Sequence, residues 1–195
     1  MSKPSFSFER KLWNNDIEYV IGIVEVGRGA FAGPIVAAGV IFPRTKRISR
    51  KLSFLKDVND SKLLKADVRR RLAKRIKTGS MHWAIEKVDI QTINKIGIGQ
   101  ANKMVFRKVV KNLLFQMGES KKYFLLTDGY PVKNINKIGL NKQLGIIDGD
   151  KKSITIAAAS IIAKAHRDSL MRSYAKNYPK YKFAKNKGYG TKSHQ

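Results

Sequence analysis

Three acidic residues, Glu25, Asp128 and Asp150, follow or close predicted strands and have the chemistry of a metal site. The ends of strands in an α/β sheet collect functional side chains from distant parts of a chain. Clustered carboxylates repel one another unless a cation neutralises them, and all-oxygen ligation favours Mg²⁺ or Mn²⁺. Two such ions are the usual apparatus of phosphodiester hydrolysis. Acids at strand ends are also common turn formers, so the spacing alone leaves a turn role open.

The elements that must position these acids are predicted from hydrophobic periodicity. Segments rich in β-branched and aromatic residues indicate five strands, and the first two flank a glycine-rich turn as a hairpin would. Apolar residues that recur every four positions among lysines and arginines indicate helices. Strands mixed with helices favour one α/β sheet domain. The predicted strands are Tyr19–Val26, Ile35–Phe42, Met81–Val88, Tyr123–Thr127 and Leu144–Ile147, and the helices lie around Leu64–Ile76, Ala101–Leu113 and Ser153–Tyr174.

The charge of the chain indicates a polyanionic partner. There are 40 Lys plus Arg against 14 Asp plus Glu among 195 residues, a formal charge of +26. Nucleic acid is the default partner of such a surface, although a generally basic proteome or a structural RNA-binding protein has a similar composition. The sequence has no cysteine, so thiolate metal sites and disulfides are excluded and a cytoplasmic setting is expected. No apolar run is long enough to span a bilayer, and the polar start is not typical of a signal peptide.

The segment Ile21–Gly29 is the first of several short motifs that follow one another along the chain. It is similar to the signature Gly-Ile-Asp-Glu-Val-Gly-Arg-Gly, and the motifs in this order resemble those of the ribonuclease HII family. The resemblance covers roughly residues 17 to 194. The further matching segments are Asn59-Asp60-Ser61-Lys62, Ile93-Asn94 through Gln100-Ala101, Asp128-Gly129, Gly149–Lys152, Ala157–Lys164 with Arg167-Asp168, Tyr181–Phe183 and Lys187–Lys192.

The resemblance implies both a fold and an activity. The fold would be an RNase H-like mixed sheet flanked by helices, forming one domain over residues 1–195 with a basic helical substrate-binding part from about residue 160. The activity would be endonucleolytic cleavage of RNA in RNA–DNA hybrids and at single ribonucleotides embedded in duplex DNA, leaving 5′-phosphate and 3′-hydroxyl ends. Such an enzyme would serve ribonucleotide excision and primer removal. We expect it to be monomeric and not membrane-bound.

The resemblance implies four catalytic acids, and this chain departs from the family pattern at one of the four positions. Glu25, Asp128 and Asp150 match three of them and would bind the Mg²⁺ or Mn²⁺ pair, but Val24 occupies the position of the first aspartate. A valine cannot bind a metal, and loss of one member of an interdependent site often removes several decades of rate. We therefore expect an impaired or inactive nuclease. Asp148, two residues before Asp150, is a candidate substitute ligand if the strand stays regular. The alternative is a catalytically dead nucleic-acid-binding protein on the same scaffold.

The resemblance also implies substrate contacts. Glycines let a backbone approach a ligand closely, and backbone groups can contact the 2′-OH that distinguishes RNA from DNA. The backbone of Gly27 and Gly29 would contact the ribonucleotide, and Arg28 would lie beside the phosphates. An ordinary hairpin turn would have the same composition. Tyr189 would sense the RNA–DNA junction by stacking. Lys62 would contact phosphates, as would the lysines of the C-terminal part: Lys176, Lys180, Lys182, Lys185, Lys187 and Lys192.

Overall fold

The computed structural model describes residues 3–45, 48–118, 122–135 and 138–191 of the chain. Five strands form one sheet: β1 (Tyr19–Val26), β2 (Ile35–Ile41), β3 (His82–Val88), β4 (Tyr123–Asp128) and β5 (Gln143–Ile146). The α-helices are α1 (Ser7–Asn14), α2 (Ala66–Gly79), α3 (Ile90–Met117), α4 (Gly149–Lys152), α5 (Ile154–Asn177) and α6 (Phe183–Asn186). Short 3-10 helices cover Arg50–Asp57, Leu140–Lys142 and Pro179–Tyr181.

The sheet is mixed, with the strand order β3-β2-β1-β4-β5. The hairpin β1–β2 and the pair β2–β3 are antiparallel, whereas β4 runs parallel to β1 and β5 runs parallel to β4. In the parallel pair, Ile23 of β1 lies opposite Thr127 of β4. The ends of these two strands therefore meet at one edge of the sheet. The predicted mixed α/β class, with helices around the sheet, is confirmed.

Strand alternation divides the core into two apolar clusters. Val20 and Val24 of β1 belong to the cluster beneath α5, whereas Ile21 and Ile23 belong to the cluster beneath α3. Successive side chains of a strand point to opposite faces, which explains this division. At Gly22, a Cβ would lie 2.3 Å from the Thr155 carbonyl carbon, so β1 and α5 approach as closely as their backbones allow.

The N-terminus of α5 is held by a buried carboxylate from α1. Glu9 is 0% exposed, and its Oε1 accepts hydrogen bonds from the Ser153 hydroxyl (2.7 Å), the Thr155 hydroxyl (2.8 Å) and the Thr155 N–H (3.0 Å). The Ser153 hydroxyl in turn caps the helix by accepting from the Ile156 N–H. Burial raises the pKa of Glu9 more than these hydrogen bonds lower it. Helix α1 thus fixes the start of the helix that passes beneath the cleft described below.

The predicted elements match the structure closely in the strands and less closely at the helix ends. β1 has the predicted bounds, and β5 begins and ends one residue earlier than predicted. α5 extends three residues beyond the predicted Tyr174, and α1 was not predicted. Within the described ranges, no helix combines the length and hydropathy needed to cross a membrane.

Candidate active site

One cleft of about 410 Å³ opens where β1 and β4 end. Its walls come from the ends of these strands, the loop after β1, the loop before α2, helices α4 and α5, and the segment after α6. The three predicted catalytic acids, Val24, the Gly-Arg-Gly loop, Lys62 and Tyr189 all lie on this cleft, together with four residues that the sequence did not single out. The lining residues are Val24, Glu25, Val26, Gly27, Arg28, Gly29, Ser61, Lys62, Asp128, Asp150, Ser160, Lys164 and Tyr189.

The three carboxylates come from three different elements. Glu25 is the penultimate residue of β1, and Asp128 is the last residue of β4. Asp150 is not at a strand end as predicted, because β5 stops at Ile146 and the chain turns into α4. Asp128 Oδ1 accepts a 2.8 Å hydrogen bond from the Gly149 N–H, which ties the start of α4 to the end of β4. Asp150 is therefore presented from the first turn of a short helix.

Asp148 does not replace the missing ligand in this arrangement. The prediction that it shares a strand face with Asp150 is wrong, because the strand has already ended and Asp148 adopts a left-handed conformation (φ 54°) before α4. Its side chain is 57% exposed and pairs with Lys151 at 3.2 Å. It does not line the cleft.

The environment of the cleft raises the pKa values of all three acids. Burial raises the pKa of Glu25, and the negative charge of Asp128 adds to this effect, while Arg28 opposes it. Burial also raises the pKa values of Asp128 and Asp150, and the charge of Asp128 raises that of Asp150 further. Lys62 acts in the opposite direction on both aspartates. The carboxylates therefore repel one another across a partly desolvated cleft, where a cation would be attracted.

Val24 contributes an apolar surface to the same cleft. It is 4% exposed and packs in the cluster beneath α5, so its isopropyl group is part of the core as well as of the cleft wall. Across the described part of the chain, no three His, Cys, Asp or Glu side chains converge closely enough to hold a metal ion. The oxygen donors around the cleft have the right chemistry for a divalent cation, but as they stand they do not form a ready metal centre.

The loop after β1 brings the Gly-Arg-Gly motif to the mouth of the cleft. Gly27 has φ 101°, a backbone conformation that residues with side chains rarely adopt. A Cβ at Gly29 would meet no atom within 4 Å. Arg28 is 63% exposed and its guanidinium lies 3.9 Å from the Glu25 carboxylate. The exposed arginine and the uncrowded Gly29 leave this loop accessible to a ligand.

Tyr189 also lines the cleft, next to α5. Its ring lies over two cations of α5, with its centroid 4.9 Å from the Lys164 Nζ and 5.1 Å from the Arg167 Cζ. The turn that carries it is bound to the loop after β1, because the Gly188 carbonyl accepts from the Phe31 N–H (2.8 Å) and the Ala32 N–H (3.2 Å). The two predicted substrate-contacting segments are thus hydrogen-bonded to each other.

Sequence reasoning assigned no role to the residues that join α2 to α5 behind the cleft. Asp168 is buried and pairs with both Arg69 and Lys164 at 2.9 Å. Arg69 also donates to the Ser61 and Leu64 carbonyls. Ser61 and Ser160 share a 2.8 Å hydrogen bond between their hydroxyls, so the loop bearing Lys62 is fixed to α5. Asp60, Ser61, Ser160, Lys164 and Asp168 all lie within segments quoted for the resemblance, which was the available signal.

The remaining basic and aromatic residues of the C-terminal part lie outside the cleft. Lys176, Lys180, Lys182 and Lys185 are exposed, Lys187 is half-buried, and Lys192 falls outside the described residues. Tyr178 and Tyr181 are exposed and contact Phe183 with ring centroids 6.4 and 5.4 Å away.

Comparison with known sequences identifies relatives along nearly the whole chain. The sequence profile described as Ribonuclease HII matches residues 21–195. The ribonuclease HII of Caldanaerobacter subterraneus subsp. tengcongensis is 43% identical over 187 residues, which cover 96% of this chain and 71% of that protein. The ribonuclease HII of Clostridium perfringens (strain SM101) is 44% identical over 192 residues, which cover 98% of this chain and 65% of that protein.

Comparison with solved structures supports the same fold. The ribonuclease H2 of Pyrococcus horikoshii superposes with a TM-score of 0.68 at 21% identity, covering 89% of this chain and 82% of that one. The RNase HII of Archaeoglobus fulgidus, solved in complex with PCNA, gives a TM-score of 0.67 at 23% identity, covering 88% and 80%. At these identities the structural likeness concerns the fold alone.

Proposed function

The chain belongs to the ribonuclease HII family of type 2 ribonuclease H enzymes, and from that membership we propose that its cleft binds RNA–DNA hybrids and duplex DNA containing single ribonucleotides. One observation carries the proposal. The nominated catalytic positions, the Gly27–Gly29 loop, Lys62 and Tyr189 are spread from position 24 to position 189, yet they line the same cleft. The net charge of +26 supports a nucleic-acid ligand, since lysines and arginines can neutralise the phosphates of a duplex.

The chemistry proposed for this cleft is hydrolysis of the phosphodiester beside a ribonucleotide, assisted by divalent cations. Glu25, Asp128 and Asp150 would supply oxygen ligands, and Mg²⁺ and Mn²⁺ prefer such ligands. A structure similar in fold, Bst-RNase HIII, was solved in complex with Mn²⁺ (TM-score 0.67, 19% identity), which supports a divalent cation. Because the three acids do not converge in the described structure and Val24 offers no oxygen, the set of metal ligands is incomplete in this chain.

We therefore propose that this chain keeps substrate recognition and has impaired cleavage. Recognition would rest on the backbone of Gly27 and Gly29, the phosphate contacts of Arg28 and Lys62, and the ring of Tyr189. Impairment would rest on Val24, whose isopropyl group lies where a fourth carboxylate would complete the set. The substrate-binding part would include the basic region from residue 160 to 195. We further propose that the protein acts as a cytoplasmic monomer.

Cleavage of a labelled DNA duplex with one ribonucleotide, in Mg²⁺ and then in Mn²⁺, tests this proposal. We expect Val24→Asp to cut at least about 100-fold faster than the parent protein, because the loss of one member of an interdependent site reduces the rate by several powers of ten. Val24→Asn is the matched control, since it has the shape of aspartate without its charge, and it should remain slow. Addition of Mn²⁺ should raise the melting temperature of Val24→Asp more than that of the other two proteins.

The competing function, a nucleic-acid-binding protein without nuclease activity on the same scaffold, is favoured by Val24 beside an intact Gly27–Gly29 loop. It predicts that neither the chain nor Val24→Asp cuts, although both bind the ribonucleotide-containing duplex. Comparable cutting by the parent protein and by Val24→Asp would instead show that three carboxylates suffice, and would refute the role given to Val24.

A further inference from the structure

Arg167 is a buried cation that connects two segments lining the cleft, the loop after β1 and the turn that carries Tyr189. Its side chain is 0% exposed, and it donates through Nε to the Pro34 carbonyl (3.0 Å), through Nη2 to the Ala32 carbonyl (3.0 Å) and through Nη1 to the Lys187 carbonyl (2.8 Å). Burial of a charge is costly unless hydrogen bonds compensate it. Here three backbone carbonyls from two loops do so, so the guanidinium binds both loops at once.

The guanidinium packs directly against the loop between β1 and β2. A Cβ on Gly27 would be 2.3 Å from the Arg167 Nε, and a Cβ on Gly33 would be 3.2 Å from its Nη2. The loop that begins at Gly27 and ends at Pro34 is therefore packed on Arg167 near both of its ends. Glycine at position 27 is required as much by this contact as by its φ of 101°.

The same side chain supports the ring that faces this loop. The Arg167 Cζ lies 5.1 Å from the centroid of Tyr189, within the range of a cation–π contact. Lys187, whose carbonyl binds Arg167, stands two residues before Tyr189, and Gly188 between them accepts hydrogen bonds from Phe31 and Ala32. One planar group thus contacts the backbone before the tyrosine, the tyrosine ring itself and the loop after β1.

We propose that Arg167 is a positioning residue for ribonucleotide discrimination. It sets the separation between the backbone of Gly27–Gly29 and the ring of Tyr189, so that a 2′-OH contact and a stacking contact are made together. The inference rests on the proposed function of the cleft. A guanidinium suits this task because its donors have fixed directions in one plane, whereas a lysine ammonium is a flexible point charge. Recognition sites lose selectivity when such groups are displaced by fractions of an ångström.

The test is the ratio of two dissociation constants, measured without divalent cations so that cleavage does not intervene. One duplex is DNA with a single ribonucleotide, and the other is the same sequence without it. We expect Arg167→Lys to lower the preference for the ribonucleotide duplex roughly tenfold, the effect of one or two weakened hydrogen bonds, while affinity for plain DNA changes little. Arg172→Lys, a charge-preserving change five residues further along α5, is the matched control and should keep the preference.

A double-mutant cycle separates positioning from general stability. If Arg167 acts through the ring, Tyr189→Leu alone should remove the part of the preference due to stacking, and adding Arg167→Lys should then cost less than it does in the parent. Fully additive losses, or an unchanged preference in a folded Arg167→Lys, would overturn the inference. If Arg167→Lys does not fold, Arg167→Gln is used in its place. If neither variant folds, Arg167 is a general structural residue and the inference fails. A parent protein without ribonucleotide preference would instead refute the proposed function.

Discussion

The Asp128 carboxylate and the Gly149 backbone N–H are joined by a 2.8 Å hydrogen bond across 21 residues of sequence. This bond connects the last residue of β4 to the first residue of α4, and Asp150 follows directly. Asp128 therefore has two separable functions in the cleft. It carries a negative charge, and it fixes the backbone that presents the next acid.

Substitution of Asp128 should separate these two functions. Asp128→Asn keeps an acceptor for the Gly149 N–H and removes a charge that burial disfavours, so its melting temperature should equal or exceed that of the parent. Asp128→Ala removes the acceptor and should lose about 1 kcal/mol of stability. Thermal melts at pH 7 measure both. In the Val24→Asp background both variants should lose cleavage, and equal melting temperatures for the two would contradict the positioning function.

The buried Glu9 predicts a pH dependence of stability with a definite sign. Because burial raises its pKa above the ordinary value of 4.5, the folded state binds the proton more tightly than the unfolded state. Between 4.5 and the raised folded-state pKa, the contribution of Glu9 to the free energy of unfolding therefore falls as the pH rises. Glu9→Gln fixes a neutral side chain and should lack this contribution.

Urea unfolding across a pH series gives the measurement for Glu9. The stability of Glu9→Gln relative to the parent should be most favourable near neutral pH and should decline toward pH 4.5. Glu9→Ala is the contrasting variant, since the Ser153 and Thr155 donors lose their acceptor, and it should be destabilised at every pH. A constant difference between Glu9→Gln and the parent would show that the pKa of Glu9 is the same in both states.

Alanine substitution should lower the stability of the protein at one glycine of the β1 region and leave it unchanged at another. A Cβ at Gly22 would lie 2.3 Å from backbone of α5, so Gly22→Ala should cost about 1–3 kcal/mol or more through overpacking. A Cβ at Gly29 meets nothing within 4 Å, so Gly29→Ala should keep the melting temperature. It should nevertheless weaken binding of the ribonucleotide-containing duplex by blocking backbone approach. Normal duplex binding by a folded Gly29→Ala would argue against a ribose contact there.

Lys62 should strengthen duplex binding through its charge, without recognising the sequence or the sugar. Lys62→Gln should weaken binding of RNA–DNA and DNA duplexes by similar factors and reduce the slope of log affinity against log salt by about 1. Titrations at several salt concentrations measure this slope. Lys65→Gln, an exposed lysine of the same loop that does not line the cleft, should have a smaller effect. A Lys62→Gln effect confined to the ribonucleotide duplex would assign the residue a different contact.

The strands and the family were available from the sequence because their signals are local. β-branched runs such as Tyr19–Val26 have the period of a strand wherever they lie, and β1 was predicted with its observed bounds. The motifs around Glu25, Asp128 and Tyr189 are contiguous, so the resemblance named them without knowledge of their distances. The substitution at Val24 was also visible in the sequence, because it interrupts one of these motifs.

The tertiary structure alone decided how these groups meet. Asp150 lies on a helix and Asp148 turns away, because the chain leaves β5 at Ile146 and takes a left-handed step that strand periodicity does not reveal. Arg167 stands in the segment predicted as a helix over Ser153–Tyr174, and the sequence assigned it no contact. Its burial depends on carbonyls of Ala32, Pro34 and Lys187, two of which lie more than 130 residues away in sequence. Contacts of this kind follow from sheet register and close backbone packing, which no local pattern of residues encodes.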